Sequence, residues 1–287
     1  MDLKQIALDD KGVFDKFFRG FSPKASEYTF TNIFCWRKPH EHKFAVIGDH
    51  LLISSGSSYF QPIGPNPHQA IKSMLNEQSV TFERVEENAL GGLPAKEDVA
   101  MFDYVYSVEE LASLDGAKFA SKRNFVNQCK RYKPNTCMLD ESTVKSFLSL
   151  AEEWCDMRGC KDDPNVAAED FALREALANY KVLGLFGICI NVEGKIAAFA
   201  LGERLNDDTF VEHFEKADTR IKGIYAYLLN ELAKALAGRY RYINREQDLG
   251  VEGLRKAKQS WNPVCMIKKY RITNVKNRRA EKPGACS

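Results

Sequence analysis

Hydrophobic and polar positions change period many times along the 287 residues, and each change marks a candidate element. Apolar residues at helical spacing run over 9–19 and again through "ASEYTFTNIFCWRK" (25–38), which predicts two amphipathic helices. "KFAVIG" (43–48) and "HLLIS" (50–54) predict a hairpin about Gly48 and Asp49. Pro62, Pro65 and Pro67 mark a loop before a helix over 68–77. "VTFERV" (80–85) and "FDYVYS" (102–107) read as strands, and Ser107 with Glu110 three residues on predicts a capping box for a short helix. The second half has the same order on a larger scale. Helices are expected over 142–159 and 167–180, then strands over 182–192, 195–204 and 209–217, the first two joined by a Glu193-Gly194 turn. A helix over 223–236, a strand over 240–243, a helix over 251–261 and a strand over 264–272 complete the series. Helices followed by an antiparallel run and then alternating elements predict an α+β sandwich around a mixed sheet.

Composition fits that picture, with 44% hydrophobic and 28% charged residues. The longest apolar run, "VLGLFGICI" (182–190), is strand-sized, so no membrane insertion is expected. "MDLKQIALDDKG" has no apolar signal core, which predicts a cytoplasmic protein. Eight cysteines are scattered singly, Cys155 and Cys160 are too far apart for a CxxC pair, and Cys129 and Cys189 fall in apolar patterns. They are expected to be reduced core thiols, with neither a disulfide framework nor a metal site. The net charge is +2, but residues 274–287 carry Lys276, Arg278, Arg279 and Lys282 against Glu281, which is +3 and leaves the remainder near −1. That segment is expected to be a disordered tail, and bulk attraction of the body to nucleic acid is not indicated.

Chemistry concentrates in four places. "NREQD" (244–248) leaves the end of a strand, where a turn, a helix cap by Asp248 and a binding loop all remain open. Strict alternation along "TFVEHFEKA" (209–217) puts Phe210, Glu212 and Phe214 on one face and His213 on the other. A carboxylate between two phenylalanines is partly desolvated and has its pKa raised toward a useful base, and Glu203 on the adjacent strand is the second candidate. His213 alone reads as structural. No Ser/His/Asp or Cys/His arrangement is visible, so a covalent enzyme intermediate is unsupported. "AKFASKRNFVNQCKRYKP" (117–134) holds six basic residues and no acid; as a helix it would turn Phe125, Cys129 and Tyr132 to the core. Lys122, Arg123 and Asn127 are then either part of a solvated face or a grip on phosphate.

The fourth place, "DTRIKGIY" (218–225), resembles in its strand, R-x-x-G, helix order the acyl-CoA pyrophosphate loop of the GNAT superfamily, with Tyr225 where that family has a small residue. "EYTFTNIFCWR" (27–37), "FDYVYSVEELASLDGAKFASKRNFVNQC" (102–129) and "YRYINREQDLGVEGLRKAKQSWNP" (240–263) together resemble the phosphatidylglycerol lysyltransferase C-terminal-domain-like family. The resemblance extends to about Thr273 and implies an α+β fold of two tandem GNAT-like units with mixed, mainly antiparallel sheets flanked by helices. The units expected are 1–140, including a basic connecting helix over 107–133, and 141–273, which would hold the active site. The implied activity is transfer of an acyl or aminoacyl group, from acyl-CoA or from the acceptor end of an aminoacyl-tRNA, to an amine or hydroxyl of a small-molecule acceptor. The transmembrane half of the membrane relatives is expected to be missing, so their lipid acceptor does not carry over. No tightly bound cofactor and no metal are expected; acyl-CoA would be a co-substrate. In this reading Glu212, Glu203 and Glu246 are the catalytic candidates, and Asn244, Arg245, Asp248, Arg255 and Lys258 hold the acceptor. Arg220, Lys222 and Gly223, with Lys122, Arg123 and Asn127, hold donor phosphate. The alternative is a non-catalytic binding module of the same fold, which Tyr225 favours.

Overall fold

The computed structural model describes residues 2–158 and 163–273. The chain begins with β1 (Lys4–Gln5), α1 (Lys11–Phe21), α2 (Phe30–Cys35), β2 (Lys43–Ile47), β3 (His50–Ser55) and β4 (Ser58–Phe60). Then come α3 (Pro67–Glu77), β5 (Thr81–Glu86), β6 (Lys96–Glu97), β7 (Asp103–Ser107), α4 (Val108–Ser113), α5 (Ala120–Lys130) and β8 (Asn135–Met138). Helices α6 (Val144–Arg158), α7 (Pro164–Ala178) and α8 (Tyr180–Leu183) precede β9 (Phe186–Val192), β10 (Lys195–Arg204) and β11 (Thr209–Ala217). The chain closes with α9 (Ile224–Leu236), β12 (Tyr242–Asn244), α10 (Glu252–Gln259), β13 (Cys265–Ile267) and β14 (Lys269–Thr273).

Most expected elements form for the expected reasons. Ser107 accepts the Glu110 N–H and caps α4, and Pro67 opens α3 at its first turn, where a missing N–H does no harm. Glu193 and Gly194 both take positive φ between the paired residues Val192 and Lys195, as the favoured two-residue turn requires. The helix expected over 25–38 is shorter, because Thr29 caps it and the preceding residues are held by buried ion pairs; all six residues of α2 are buried. Helix α5 is rotated from its expected orientation. A 3-10 turn over Ala117–Phe119 precedes it and sends Phe119 into the core, so Val126 and Cys129 face inward. Phe125 and Tyr132 are 39% and 41% exposed, not core residues.

The strands form two mixed sheets flanked by helices, in the orders β1-β2-β3-β4-β5-β14-β6 and β13-β7-β12-β11-β10-β9-β8. The division between sheets is not the one expected at 140/141. Strand β7, from the first half, lies between β13 and β12 in the second sheet, and β14, from the end of the chain, lies between β5 and β6 in the first. The single strand expected over 264–272 is thus two strands in different sheets, with Lys268 between them.

One core cluster joins the two sheets, with Phe14, Phe30 and Phe44 from the first half and Phe147, Phe199 and Phe214 from the second. Another covers the opposite face of the second sheet, with Tyr104, Tyr106, Phe210, Leu228 and Leu232. A smaller one lies under α3 around Ile71, Phe82 and Ile272.

The cysteine expectation needs correction. Cys137 on edge strand β8 is in register with Cys189 on β9, and the two form a disulfide with a Cα–Cα distance of 5.0 Å. Fifty-two residues separate them in sequence, so spacing gave no sign of the pair. Cys155 is also disulfide-bonded, whereas Cys35, Cys129 and Cys265 are free. Cys160 and the expected tail over 274–287 lie outside the described residues. Among the described residues no helix is long and apolar enough to cross a membrane, and no group of three or more His, Cys, Asp or Glu is placed to hold a metal ion.

Candidate functional site

Strand β11 contains one residue more than its partner. Leu201 pairs with Phe214 but Gly202 pairs with Glu212, so His213 is the extra residue of a bulge. The bulge breaks the alternation on which the Glu212 expectation stood. Phe210 packs in the cluster under α4 and α9, whereas Phe214 packs in the cluster shared with the first sheet, so Glu212 is not flanked by both. A bulge re-aims a side chain, and here it aims His213. Nδ1 of His213 donates to Glu246 Oε1 at 2.8 Å, and Nε2 donates to Glu203 Oε1 at 3.1 Å. Thr29 Oγ1 lies 3.4 Å from Nε2, and Asn32 Nδ2 donates to Glu246 Oε1 at 3.3 Å. The imidazole is only 3% exposed; burial alone would lower its pKa, but hydrogen bonds to the two carboxylates outweigh burial and push it up to about 9. Near neutral pH His213 is therefore an imidazolium clamped between Glu203 and Glu246.

The "NREQD" loop is tied down residue by residue. Asn244 is fully buried: its amide donates to Asp103 Oδ2 at 3.0 Å, and its Oδ1 accepts the Glu246 N–H at 2.8 Å. It therefore supports Glu246 and is not placed to touch an acceptor. Asp103 continues the chain of contacts to Lys269, which also pairs with Glu27, and both lysine and aspartate are fully buried. Glu246 has φ +56°, a left-handed backbone that a non-glycine residue keeps only when its surroundings fix it. Its side chain is 18% exposed, so it meets solvent where His213 does not.

Asp248 is not the cap of α10. The N-cap is Val251, with no side-chain bond, and Asp248 sits deeper. It accepts the Tyr104 hydroxyl at 2.6 Å, the Gly250 N–H at 2.8 Å and two Arg255 donors at 2.8 and 3.0 Å. Burial would raise its pKa, but the Arg255 and Tyr104 bonds hold it below the usual carboxylate range. Arg255 is thereby committed to the loop.

Strands β11 and β12 run parallel and pair only over Thr209–Val211 and Tyr242–Asn244. Strand β12 ends at Asn244, and Arg245, the next residue, reaches back to β11. Its Nε donates to Glu212 Oε2, and its NH2 group pairs with Glu215 at 2.6 Å. Glu212 is buried, and burial pushes its carboxyl up to about 7 against the pull of Arg245 and with the push of Glu215. Glu212 is thus a buried partner of arginine, 3% exposed, and an acceptor does not reach it. Lys258 donates to the carbonyls of Arg245 and Gln247, holding the loop against α10; burial and then the Arg245 charge push its ammonium down to about 8.

Several of the residues expected to hold phosphate are engaged within the protein. Arg220 is 72% exposed and pairs with Asp218 at 2.7 Å, and Lys222 is exposed. Gly223 has φ +83°, and a Cβ built on it would lie 2.0 Å from the Phe125 carbonyl oxygen. The space that glycine leaves is filled by the α5 backbone, a packing reason for glycine in place of close phosphate approach. Arg123 binds the carbonyls of Leu114 and Gly116 at the end of α4, a structural role. Lys122 donates to Ser260 and lies 4.4 Å from the Trp261 ring centre, and Asn127 is exposed on α5. An open groove of about 870 Å³ lies at the amino end of β12 between Ser107, Glu110, Tyr240 and Arg241; none of the candidate residues lines it.

The sequence singles out Glu203 and Glu246 as candidates and reads His213 as structural; it gives no sign of Thr29 or Asn32, which the fold brings to the same cluster. A lone histidine in an alternating strand carries no mark of a bulge. The available signal was that two candidate carboxylates fell on neighbouring elements, which calls for a cation between them.

Comparison with solved structures agrees with this architecture. A conserved protein of unknown function from Bacteroides thetaiotaomicron VPI-5482 is 33% identical, with TM-score 0.87 over 95% of this chain and 99% of that one. L-PGS from Bacillus licheniformis is 15% identical, with TM-score 0.63 over 94% and 93% of the two chains. FemX is 9% identical, with TM-score 0.60 over 96% and 98%. These likenesses carry the fold, an α+β arrangement of two mixed sheets flanked by helices. The sequence profile described as phosphatidylglycerol lysyltransferase, C-terminal, matches residues 18–273, so the chain belongs to that family.

Proposed function

We propose that this chain transfers an acyl or aminoacyl group from an activated ester to an amine or hydroxyl of a small acceptor, with Glu246 taking the acceptor's proton. The observation that carries this reading is the Glu203–His213–Glu246 arrangement, a buried imidazolium holding a partly exposed carboxylate at the end of β12. An acceptor ammonium cannot attack a carbonyl until a base removes its proton. Glu246 accepts that proton, the nitrogen forms its bond to the donor carbonyl carbon, and the bond from that carbon to the carrier oxygen breaks. The proton on Glu246 then passes to the departing carrier oxygen, and for an amine the second proton that the new amide nitrogen sheds is released to solvent, leaving the carboxylate as it began. His213, fixed as a cation, keeps Glu246 in place through both steps.

An ester on the end of an RNA suits the donor side better than a thioester carrier. Arg220 is paired to Asp218 and the Gly223 space is filled, so a pyrophosphate seat there lacks its parts. By contrast, α5 and the turn after it expose Phe125 and Tyr132 among Lys130, Arg131 and Lys133. Exposed rings among cations suit unpaired bases and phosphates.

A second reading, a binding module without turnover, is favoured by Arg245, whose ion pairs occupy the β11 carboxylates Glu212 and Glu215. Assays with aminoacylated acceptor-stem RNA and with acyl-CoA, against a panel of amines and alcohols, separate the two. Transfer that falls about 100-fold or more in Glu246→Gln, with donor affinity unchanged, supports catalysis. Donor binding without transfer in the native protein supports the module, and full transfer by Glu246→Gln removes Glu246 from the mechanism.

A further inference from the structure

We infer that Asn32 and Thr29, from the first half of the chain, are positioning residues that aim Glu246, an inference that rests on the catalytic reading above. Both sit at the start of α2. Thr29 Oγ1 accepts the Asn32 N–H at 3.1 Å, which caps the helix and fixes where the Asn32 side chain points. The same oxygen lies 3.4 Å from His213 Nε2, so one hydroxyl registers the helix against the imidazole. Asn32, 8% exposed, spends its amide on Glu246 at 3.3 Å.

Which oxygen it chooses matters. The Asn32 amide and His213 Nδ1 both bind Oε1 of Glu246, at 3.3 and 2.8 Å. Among the described residues no hydrogen bond falls on Oε2, so Oε2 is the atom left for an acceptor's proton. Rotation about the last bond of a glutamate is broad and roughly two-fold, so a single donor would let the two oxygens exchange. Two donors converging on one oxygen from different elements stop that exchange, while Asn244 holds the backbone beneath it. The catalytic carboxylate is therefore set by both halves of the chain, although the three titrating groups all come from the second.

The test uses the full chain with Asn32→Ala, Asn32→Asp and Thr29→Ser, read by transfer kinetics and by NMR titration of the His213 ring. Asn32→Ala should lower kcat at least 10-fold with the donor KM unchanged. Asn32→Asp keeps the shape and adds a third carboxylate, so the His213 midpoint should move up and kcat should fall. Thr29→Ser keeps the hydroxyl and should preserve both readouts. Native kcat in Asn32→Ala, or an unmoved His213 midpoint in Asn32→Asp, overturns the inference. If the native protein transfers nothing, the titration still decides whether Asn32 acts on this cluster, while the catalytic reading fails by itself.

Discussion

Replacing Gly223 by alanine separates two reasons for a glycine at the start of α9. If the glycine serves packing, the loss is in stability; if it serves a phosphate, the loss is in ligand affinity. Two structural terms set the size. Gly223 has φ +83°, where an L-residue is disfavoured by roughly 1–2 kcal/mol. The new Cβ would also lie 2.0 Å from the Phe125 carbonyl oxygen, a backbone atom that cannot swing away. Forcing that contact apart adds about 1–3 kcal/mol, the usual range for overpacking. Gly194 supplies the control, with φ +84° and nothing within 4 Å of its ideal Cβ. Gly194→Ala should therefore show the backbone term alone and Gly223→Ala both, a difference of about 1–3 kcal/mol. Urea unfolding of the two variants beside the native chain measures it. Equal destabilisation by the two substitutions would refute the contact, and a fully stable Gly223→Ala that has lost donor affinity would restore the phosphate seat.

His213 makes stability depend on pH. Its folded pKa of about 9 lies above the ordinary 6.5, so its contribution is whole below pH 6.5 and is lost as pH rises through about 9. The shift corresponds to about 3 kcal/mol at most, so the gap between native and His213→Gln stability should shrink by up to that amount between pH 6 and pH 10; a constant gap contradicts the clamp. Glu212→Gln leaves Arg245 facing Glu215 alone and should destabilise by about 3 kcal/mol in urea, because a buried charge loses its partner. A variant as stable as the native chain would show that this pair contributes nothing net.

Local signals carried most of the elements. The hairpins, the capped start of α4, the long α9 and the crossing from β11 to β12 were legible because turn residues and apolar periods are properties of neighbouring residues. The bulge at His213 was not, because "TFVEHFEKA" alternates in the same way whether or not one residue is left over; only its pairing with β10 shows the extra residue. The Cys137–Cys189 disulfide and the Arg245–Glu212 pair are likewise facts of pairing. Gly223 was noticed for a sound reason, its position before a helix, but its neighbour belongs to α5, nearly a hundred residues away. The polar residues at 244–248 stand out in the sequence. Their division into buried supports, Asn244 and Asp248, and a solvent-facing acid, Glu246, depended on burial, which alternation over so short a stretch does not give.

The exchange of strands between sheets has a consequence for how the molecule is made. Strand β14 lies between β5 and β6, so the first sheet has a vacant interior place until residues 269–273 leave the ribosome. Until then β5 exposes an unpaired edge, the kind of surface that recruits foreign strands. Synthesis from the amino end therefore does not finish the first half first. Both sheets need residues 265–273 to be complete, and β14 brings Lys269 to Glu27 and Asp103.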